Sequence, residues 1–303
     1  MNKAGIGVAS LLLLMLPGSC IAAPAPPPKP KPKPAQFAAP TTPIPPKPAP
    51  IGKFLLSRAP QQGSITIGQA PAGTERLVVD GQTVPLAADG RFLIGFDRDY
   101  AATTLITAFQ PGGDAISEKL PVAKRAWKIE SLATLPHHSQ PDAEFARRRP
   151  GELAQINAAR RKDNQSDGWQ QPFIWPAKGR ISGFFGSQRI YAGEPGSPHG
   201  GVDVAGGVGA RVVAPANGVV ILAAPSPFTL EGNLLMIDHG MGLNSAFLHL
   251  SRIDVRVGDR VSQGQPIGAI GQTGRATGPH LHWGLRWHSE KIDPQPLAGP
   301  MLP

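Results

Sequence analysis

Between Thr277 and Gly284 the chain reads Thr-Gly-Pro-His-Leu-His-Trp-Gly, and this stretch constrains the fold more than any other. Gly278-Pro279 is a turn signal, and Trp283 favours a strand. Side chains alternate along a strand with period two, so His280 and His282 share one face and can converge on one point. A second stretch, Pro198-His199-Gly200-Gly201-Val202-Asp203, belongs with it. His199 and Asp203 sit among glycines and small apolar residues without a helical pattern, so they too can converge, from a loop or a short strand. Three neutral or anionic ligands (His199, Asp203, His282), with a fourth position left to water, are how a catalytic zinc site is built.

The rest of the chain limits what can surround such a site. At 303 residues there is room for two domains of about 150 residues each. A hydrophobic content of 41% supports folded cores, while 35 prolines and 36 glycines point to loops and linkers rather than a helix-rich body. The formal charge of +9 favours anionic partners. Neither aromatic–basic interleaving nor zinc-finger spacing is present, so nucleic acid is not the expected one. Cys20 is the single cysteine, so no internal disulfide forms and packing must hold the fold.

Residues 1–23 read as an export signal: Lys3, an apolar run from Ile6 to Leu16 too short for a span of about 20 residues, a Pro17-Gly18 break, then Ala22 and Ala23. Cys20 opens a second reading, lipid attachment. Pro17-Gly18-Ser19 matches a lipobox poorly, so the plainly exported form without a transmembrane anchor is expected. Residues 24–50, with Pro28-Lys29-Pro30-Lys31, form an extended basic linker. Residues 51–125 alternate in short runs separated by Asp80-Gly81 and Asp89-Gly90, as in a small β-sandwich-like accessory domain.

Residues 126–170 are a basic connector. A helix is expected over Glu152 to Lys162 after Pro150, with Leu153 and Ile156 on one side. Its Arg147-Arg148-Arg149 and Arg160-Arg161-Lys162 runs read as a solvated face, and His137-His138 as linker. Residues 171–303 carry strand-like runs between turns, a second and mostly antiparallel β domain. The expected fold class is therefore mainly β.

In this second domain, over residues 173–296, the chain resembles the lysostaphin-like (LytM-type) zinc metallo-endopeptidases that cut peptidoglycan peptides. The matching segments run in order: Gly183-Phe184-Phe185-Gly186 with Arg189, Pro198 to Val204, Ala214 to Val220, Ile237-Asp238-His239-Gly240, Leu248-His249-Leu250-Ser251, Val257 to Val261, and Gly274 to His282. The resemblance implies one Zn2+ per chain on His199, Asp203 and His282, with His249 and His280 as catalytic histidines that do not bind the metal. It departs at Phe247, where many members carry an aromatic hydroxyl that could assist substrate positioning.

With no His-Glu-x-x-His helix a glutamate base of that kind is missing, so a base or proton shuttle must come from elsewhere, and His249 and His280 are suited because imidazole titrates near neutrality. His239 is expected to be structural, with Asp238 able to hold it, and His288 to lie on the surface. Asn233 is a candidate for substrate binding. Arg189 and Arg275 read equally as substrate-carboxylate partners or as solvated surface. The expected function is an exported, periplasmic zinc endopeptidase acting on peptidoglycan cross-links. The rival readings are a non-catalytic wall-binding regulator of a separate amidase, and an envelope tether.

Overall fold

The computed structural model describes residues 53–133 and 142–301. The export signal, Cys20, the Pro/Lys linker and His137-His138 lie outside the described residues.

Seven strands form the N-terminal part: β1 (Leu55–Leu56), β2 (Ile65–Gln69), β3 (Arg76–Val79), β4 (Gln82–Val84), β5 (Arg91–Gly95), β6 (Thr103–Phe109) and β7 (Ala115–Pro121). They make two antiparallel sheets, ordered β1-β2-β5 and β4-β3-β6-β7. The β3–β4 hairpin turns at Asp80-Gly81, both with positive φ (45° and 83°), the conformation a two-residue hairpin turn requires. Asp80 also ties the turn to β6, since its carboxylate accepts from Leu105 N, Thr104 Oγ1 and Tyr100 OH. Leu77, Phe92, Phe96, Ile106 and Ala108 fill the interior and are fully buried.

This part is fixed to the C-terminal half of the chain. A Cβ on Gly95 would stand 2.9 Å from both Ile292 Cδ1 and Trp287 Cβ. Asp293 donates its N–H to Gly63 O at 2.8 Å, and its buried carboxylate meets Arg125 Nη2 at 2.6 Å. Arg98 Nε donates to Gly186 O at 2.8 Å.

The connector contributes β8 (Ile129–Leu132), which pairs in parallel with β10 (Gln188–Tyr191), and helix α1 (Ala143–Arg160). The helix starts well before the expected Glu152 and carries Pro150 inside it. Asp142 caps it by accepting from Phe145 N at 2.7 Å. Tertiary contacts outweigh the hydrogen bond that Pro150 removes. Arg149 makes two bonds to Glu231, and Glu152 accepts from Thr229 N and Oγ1. Ile156 and Ala159 are buried against Leu222, Leu234 and Met236. The inward residues are thus Glu152, Ile156 and Ala159, while Leu153 faces solvent, contrary to expectation.

The C-terminal part holds β11 (Glu194–Pro195), which pairs with β10, and one large sheet built from β9 (Ile181–Gly183), β12 (Val202–Ala205), β13 (Arg211–Val213), β14 (Gly218–Ala223), β15 (Asn233–Gly240), β16 (Leu243–Ile253), β17 (Arg260–Val261), β18 (Pro266–Ile270), β19 (His280–Trp287) and β20 (Glu290–Ile292). Its path is β17-β14-β15-β16-β19-β12-β9; β13, β18 and β20 pair off it, and β10–β11 joins β8 in a small separate sheet. A short helix, α2 (Gln295–Ala298), comes after β20. Strand β19 alternates strictly. Leu281, Trp283, Leu285 and Trp287 enter the main core, while His280, His282, Gly284 and Arg286 take the other face.

His239 is structural, as expected, but through other partners than Asp238. Its Nδ1 faces Asn217 O at 2.8 Å, so Nδ1 carries the proton. Nε2 then accepts from Ser245 Oγ at 2.8 Å, and Ser245 Oγ accepts from Trp283 Nε1 at 3.2 Å. Every group in this relay is satisfied while neutral, and burial pushes the imidazole down to about 4. The unfolded chain binds this proton near pH 6.5, but the folded chain does not until about pH 4. The stabilising contribution is therefore complete above about pH 6.5 and is lost as pH falls toward 4. His239→Gln should cost roughly 1–3 kcal/mol at pH 7 and flatten the fall of melting temperature between pH 6.5 and 4. Melting curves across that range check it; an unchanged slope would contradict the assignment.

Candidate metal centre

Register brings the three candidate ligands together. Asp203 on β12 lies directly opposite His282 on β19, and Ala205 lies opposite His280. His199 arrives from the loop before β12. That loop is held by two backbone bonds, His199 N to Ser187 O at 2.8 Å and Gly186 N to His199 O at 2.9 Å. The result is a tight triangle. His199 Nε2 is 3.1 Å from Asp203 Oδ1 and 3.1 Å from His282 Nδ1, and His282 Nδ1 is 2.8 Å from Asp203 Oδ1. Among the described residues these three form the cluster able to hold a metal ion.

The donor set fits zinc. Two imidazoles and one carboxylate are a ligand combination that zinc takes, at about 2.0–2.2 Å per bond, which puts tetrahedral neighbours about 3.3 Å apart. The site is also shaped around its ligands. A Cβ on Gly183 would lie 2.2 Å from Asp203 Oδ2, and one on Gly201 would lie 2.8 Å from His282 Nε2. These two glycines, unremarked as site residues in the sequence, leave the space that the carboxylate and the ring occupy.

Hydrogen bonds set the tautomers. His199 Nδ1 faces Phe184 O at 3.1 Å, His249 Nδ1 faces Thr273 O at 2.8 Å, and His280 Nδ1 faces Gly278 O at 2.8 Å. A carbonyl only accepts, so each Nδ1 carries the proton and each Nε2 keeps its lone pair. Burial opposes the charge on Asp203, but the His199 and His282 imidazoles against it hold its carboxyl well below the usual carboxylate range. Burial likewise opposes protonation of His199, yet Asp203 outweighs it and raises that imidazole. For His282 burial wins, and its pKa is lowered. His249 is pushed down to about 4, first by burial.

His249 reaches the site through a break in alternation. Strict period two along β16 would send it to the same face as Phe247, into the core. Instead it adopts φ 62°, left-handed for a residue with a Cβ. The β15–β16 register slips by one residue between Phe247 and Leu250, the mark of a bulge. The ring thereby comes within 4.8 Å of His280 and 6.3 Å of His282, centroid to centroid. Leu250 returns to the core.

Other candidates fall differently. Asn233 directs Nδ2 to Leu250 O at 2.8 Å, and its N–H goes to Thr273 Oγ1 at 2.9 Å. Its amide therefore braces the bulge beside His249. Phe247 is fully buried on the face away from His282, so a hydroxyl there would not reach the groove. Arg189 pairs with Glu130 at 3.0 Å, and the Arg275 guanidinium stacks 4.3 Å above the Phe145 ring. His288 is exposed.

Comparison with known proteins agrees with this geometry. Residues 197–294 match the model of Peptidase family M23. Peptidoglycan DD-endopeptidase ShyA of Vibrio cholerae is 40% identical over 127 residues, which is 41% of this chain and 29% of that protein. Peptidoglycan DD-endopeptidase ShyB of the same organism is 40% identical over 96 residues, 32% of this chain and 22% of that protein. The chain thus spans less than a third of the length of these relatives. A putative peptidase M23 from Pseudomonas aeruginosa superposes with TM-score 0.60 at 26% identity, over 80% of this chain and 96% of that one. That coverage reaches well beyond residues 197–294, into the N-terminal sheets.

Because a Cβ at position 183 would overlap the Asp203 carboxylate, Gly183→Ala should weaken metal binding at this cluster by about 10–100-fold and leave the circular dichroism spectrum unchanged. Competition with a chromophoric chelator measures it. Undiminished affinity would show that Asp203 is not held by this contact.

Proposed function

Residues 197–294 form a peptidase family M23 domain, and from that premise we propose that the protein is an exported zinc metallo-endopeptidase that hydrolyses peptide cross-links of bacterial peptidoglycan. The observation that carries this reading is the convergence of His199 Nε2, Asp203 Oδ1 and His282 Nδ1 within 3.1 Å, with two further imidazoles beside them. The names of the relatives supply the substrate class. The export-signal pattern of residues 1–23 supports action in the cell envelope, in the periplasm. Among the described residues no helix is long and apolar enough to cross a membrane.

Zinc held by His199, Asp203 and His282 would supply a Lewis acid that polarises the scissile carbonyl and makes water acidic near neutral pH. The chain's own residues do the rest. His249 and His280 each present a lone pair at Nε2, so a water between them can direct one O–H to each. One imidazole accepts a proton as the water oxygen attacks the carbonyl carbon. The same proton then passes to the amide nitrogen as the C–N bond breaks, which leaves a free amine and a carboxylic acid, and the acid gives its remaining proton to solvent to become the carboxylate. The lowered pKa of His249 keeps its Nε2 unprotonated at neutral pH, as an acceptor must be. Among the described residues the ligand cluster itself contains no glutamate.

The rival reading, a wall-binding regulator of a separate amidase, sits poorly with a complete and shaped ligand set. Purified protein should contain one zinc per chain and release cross-link fragments from isolated peptidoglycan. His199→Ala should lose both. Zinc binding without any release would favour the regulator. His249→Ala should lower kcat by about 10²–10⁴-fold with zinc content unchanged, measured by single-turnover hydrolysis and metal analysis. Loss of zinc in that variant would instead make His249 a ligand.

A further inference from the structure

The sheet face that carries His282 does not end at the metal ligands. Along β19 the same face continues through Gly284 to Arg286, a distance of about 13 Å at 3.3 Å per residue. On the neighbouring strand Leu248, Ala246 and Asn244 lie directly opposite His282, Gly284 and Arg286. The two middle residues are small, so the sheet forms the floor of a trench. Helix α1 walls one side with Ile156 and Arg160, and Lys291 on β20 stands on the other; the cavity measures about 150 Å³. It has room for about three residues of extended peptide leading away from His282.

The far end of this trench is polar and unsatisfied. Asn244 is 5% exposed, and its Oδ1 is buried with no partner. Arg160 Nε is equally buried and unbonded, and its guanidinium has no carboxylate partner among the described residues. Lys291 is also without an ion pair among them, and Arg286 reaches only the Ser289 carbonyl, at 3.3 Å. The carboxylate that lines the trench, Glu231, is already held by two bonds from Arg149 at 2.6 and 2.9 Å. Asp97 and Glu290 lie in the adjoining cleft, across Lys291. A buried Arg160 Nε and a buried Asn244 Oδ1 without a hydrogen bond are destabilising unless something binds them. Burial, then the like charge of Arg286, pushes the Arg160 guanidinium down to about 10. Arg160, the last residue of α1, is therefore not the solvated charge its sequence suggests.

We propose that Arg160, Arg286 and Lys291 form a subsite for a free carboxylate on the substrate peptide, with Asn244 Oδ1 accepting from a peptide N–H on the way to it. This assignment rests on the reading of the chain as a peptidoglycan peptidase, and it gives helix α1 a part in choosing the substrate. A guanidinium fork suits a carboxylate, and a peptide supplies both the anion and the N–H that the trench lacks. Arg160 is a specificity residue here and touches no reacting atom.

The test uses a synthetic cross-linked stem-peptide dimer in three forms: free acid, amidated only at the C-terminal carboxylates, and amidated only at the side-chain carboxylates. Equilibrium binding and hydrolysis are measured separately for wild type, Arg160→Gln and Lys291→Met. Wild type should bind the free acid about 10-fold or more tightly over one of the amidated forms, and which form is penalised identifies the carboxylate. Arg160→Gln should erase that preference by weakening binding of the free acid to the level of the penalised form, and Lys291→Met should reduce the preference. Tighter binding of the free acid without hydrolysis would uphold the subsite while removing the endopeptidase reading. Equal binding of all three forms by wild type, or full preference retained in Arg160→Gln, would overturn the subsite.

Discussion

The alternation of β19 is the constraint on which the rest depends. Leu281, Trp283, Leu285 and Trp287 are locked into the core on one face. Burying residues of this size stabilises by roughly 2 kcal/mol each, and a one-residue slip would reverse every side chain. The apolar face thus fixes where His280 and His282 point. Pairing with β12 then sets Asp203 opposite His282, and pairing with β16 aligns the trench. The candidate metal site and the trench leading from it are consequences of one strand's packing.

The site also needs places where regularity fails. A histidine in the left-handed region costs of order 1–3 kcal/mol. At His249 that cost is offset by the bond to Thr273 O and by the bracing of Leu250 O from Asn233 and Thr273. The bulge lets one strand supply Phe247 and Leu250 to the core and place His249 beside His280 and His282. The N-terminal sheets have a similarly fixed relation to the peptidase sheet. Buried Asp293, bonded to Arg125 and to Gly63 O, and the close fit of Gly95 against Trp287 place them as a wall beside His199. A module free to swing on a tether would lack such contacts.

Much of this was legible in the amino-acid order. His280 and His282 announce themselves through period two, and the glycine-rich Pro198–Asp203 stretch supplies the partners. The hairpin at Asp80-Gly81 follows from turn chemistry alone. What was not legible depends on tertiary contact. The start of α1 was hidden because Pro150 reads as a boundary and because its inward face includes Glu152, which is held by Thr229. Reading Leu153 as an inward residue failed for the same reason. Periodicity would have sent His249 to the core; only family resemblance pointed to its role. The glycines at 183 and 201, and the approach of Arg160 to Arg286, are properties of chains brought together across more than a hundred residues or across strands. No local pattern encodes them.

The most direct test of the account is anomalous diffraction at the zinc edge from crystals grown with one equivalent of zinc. The account predicts a single strong peak bonded to His199 Nε2, Asp203 Oδ1 and His282 Nδ1, with His249 and His280 close by and unbonded to the metal. A peak bonded to His249 or His280, or no peak at this cluster, would contradict it.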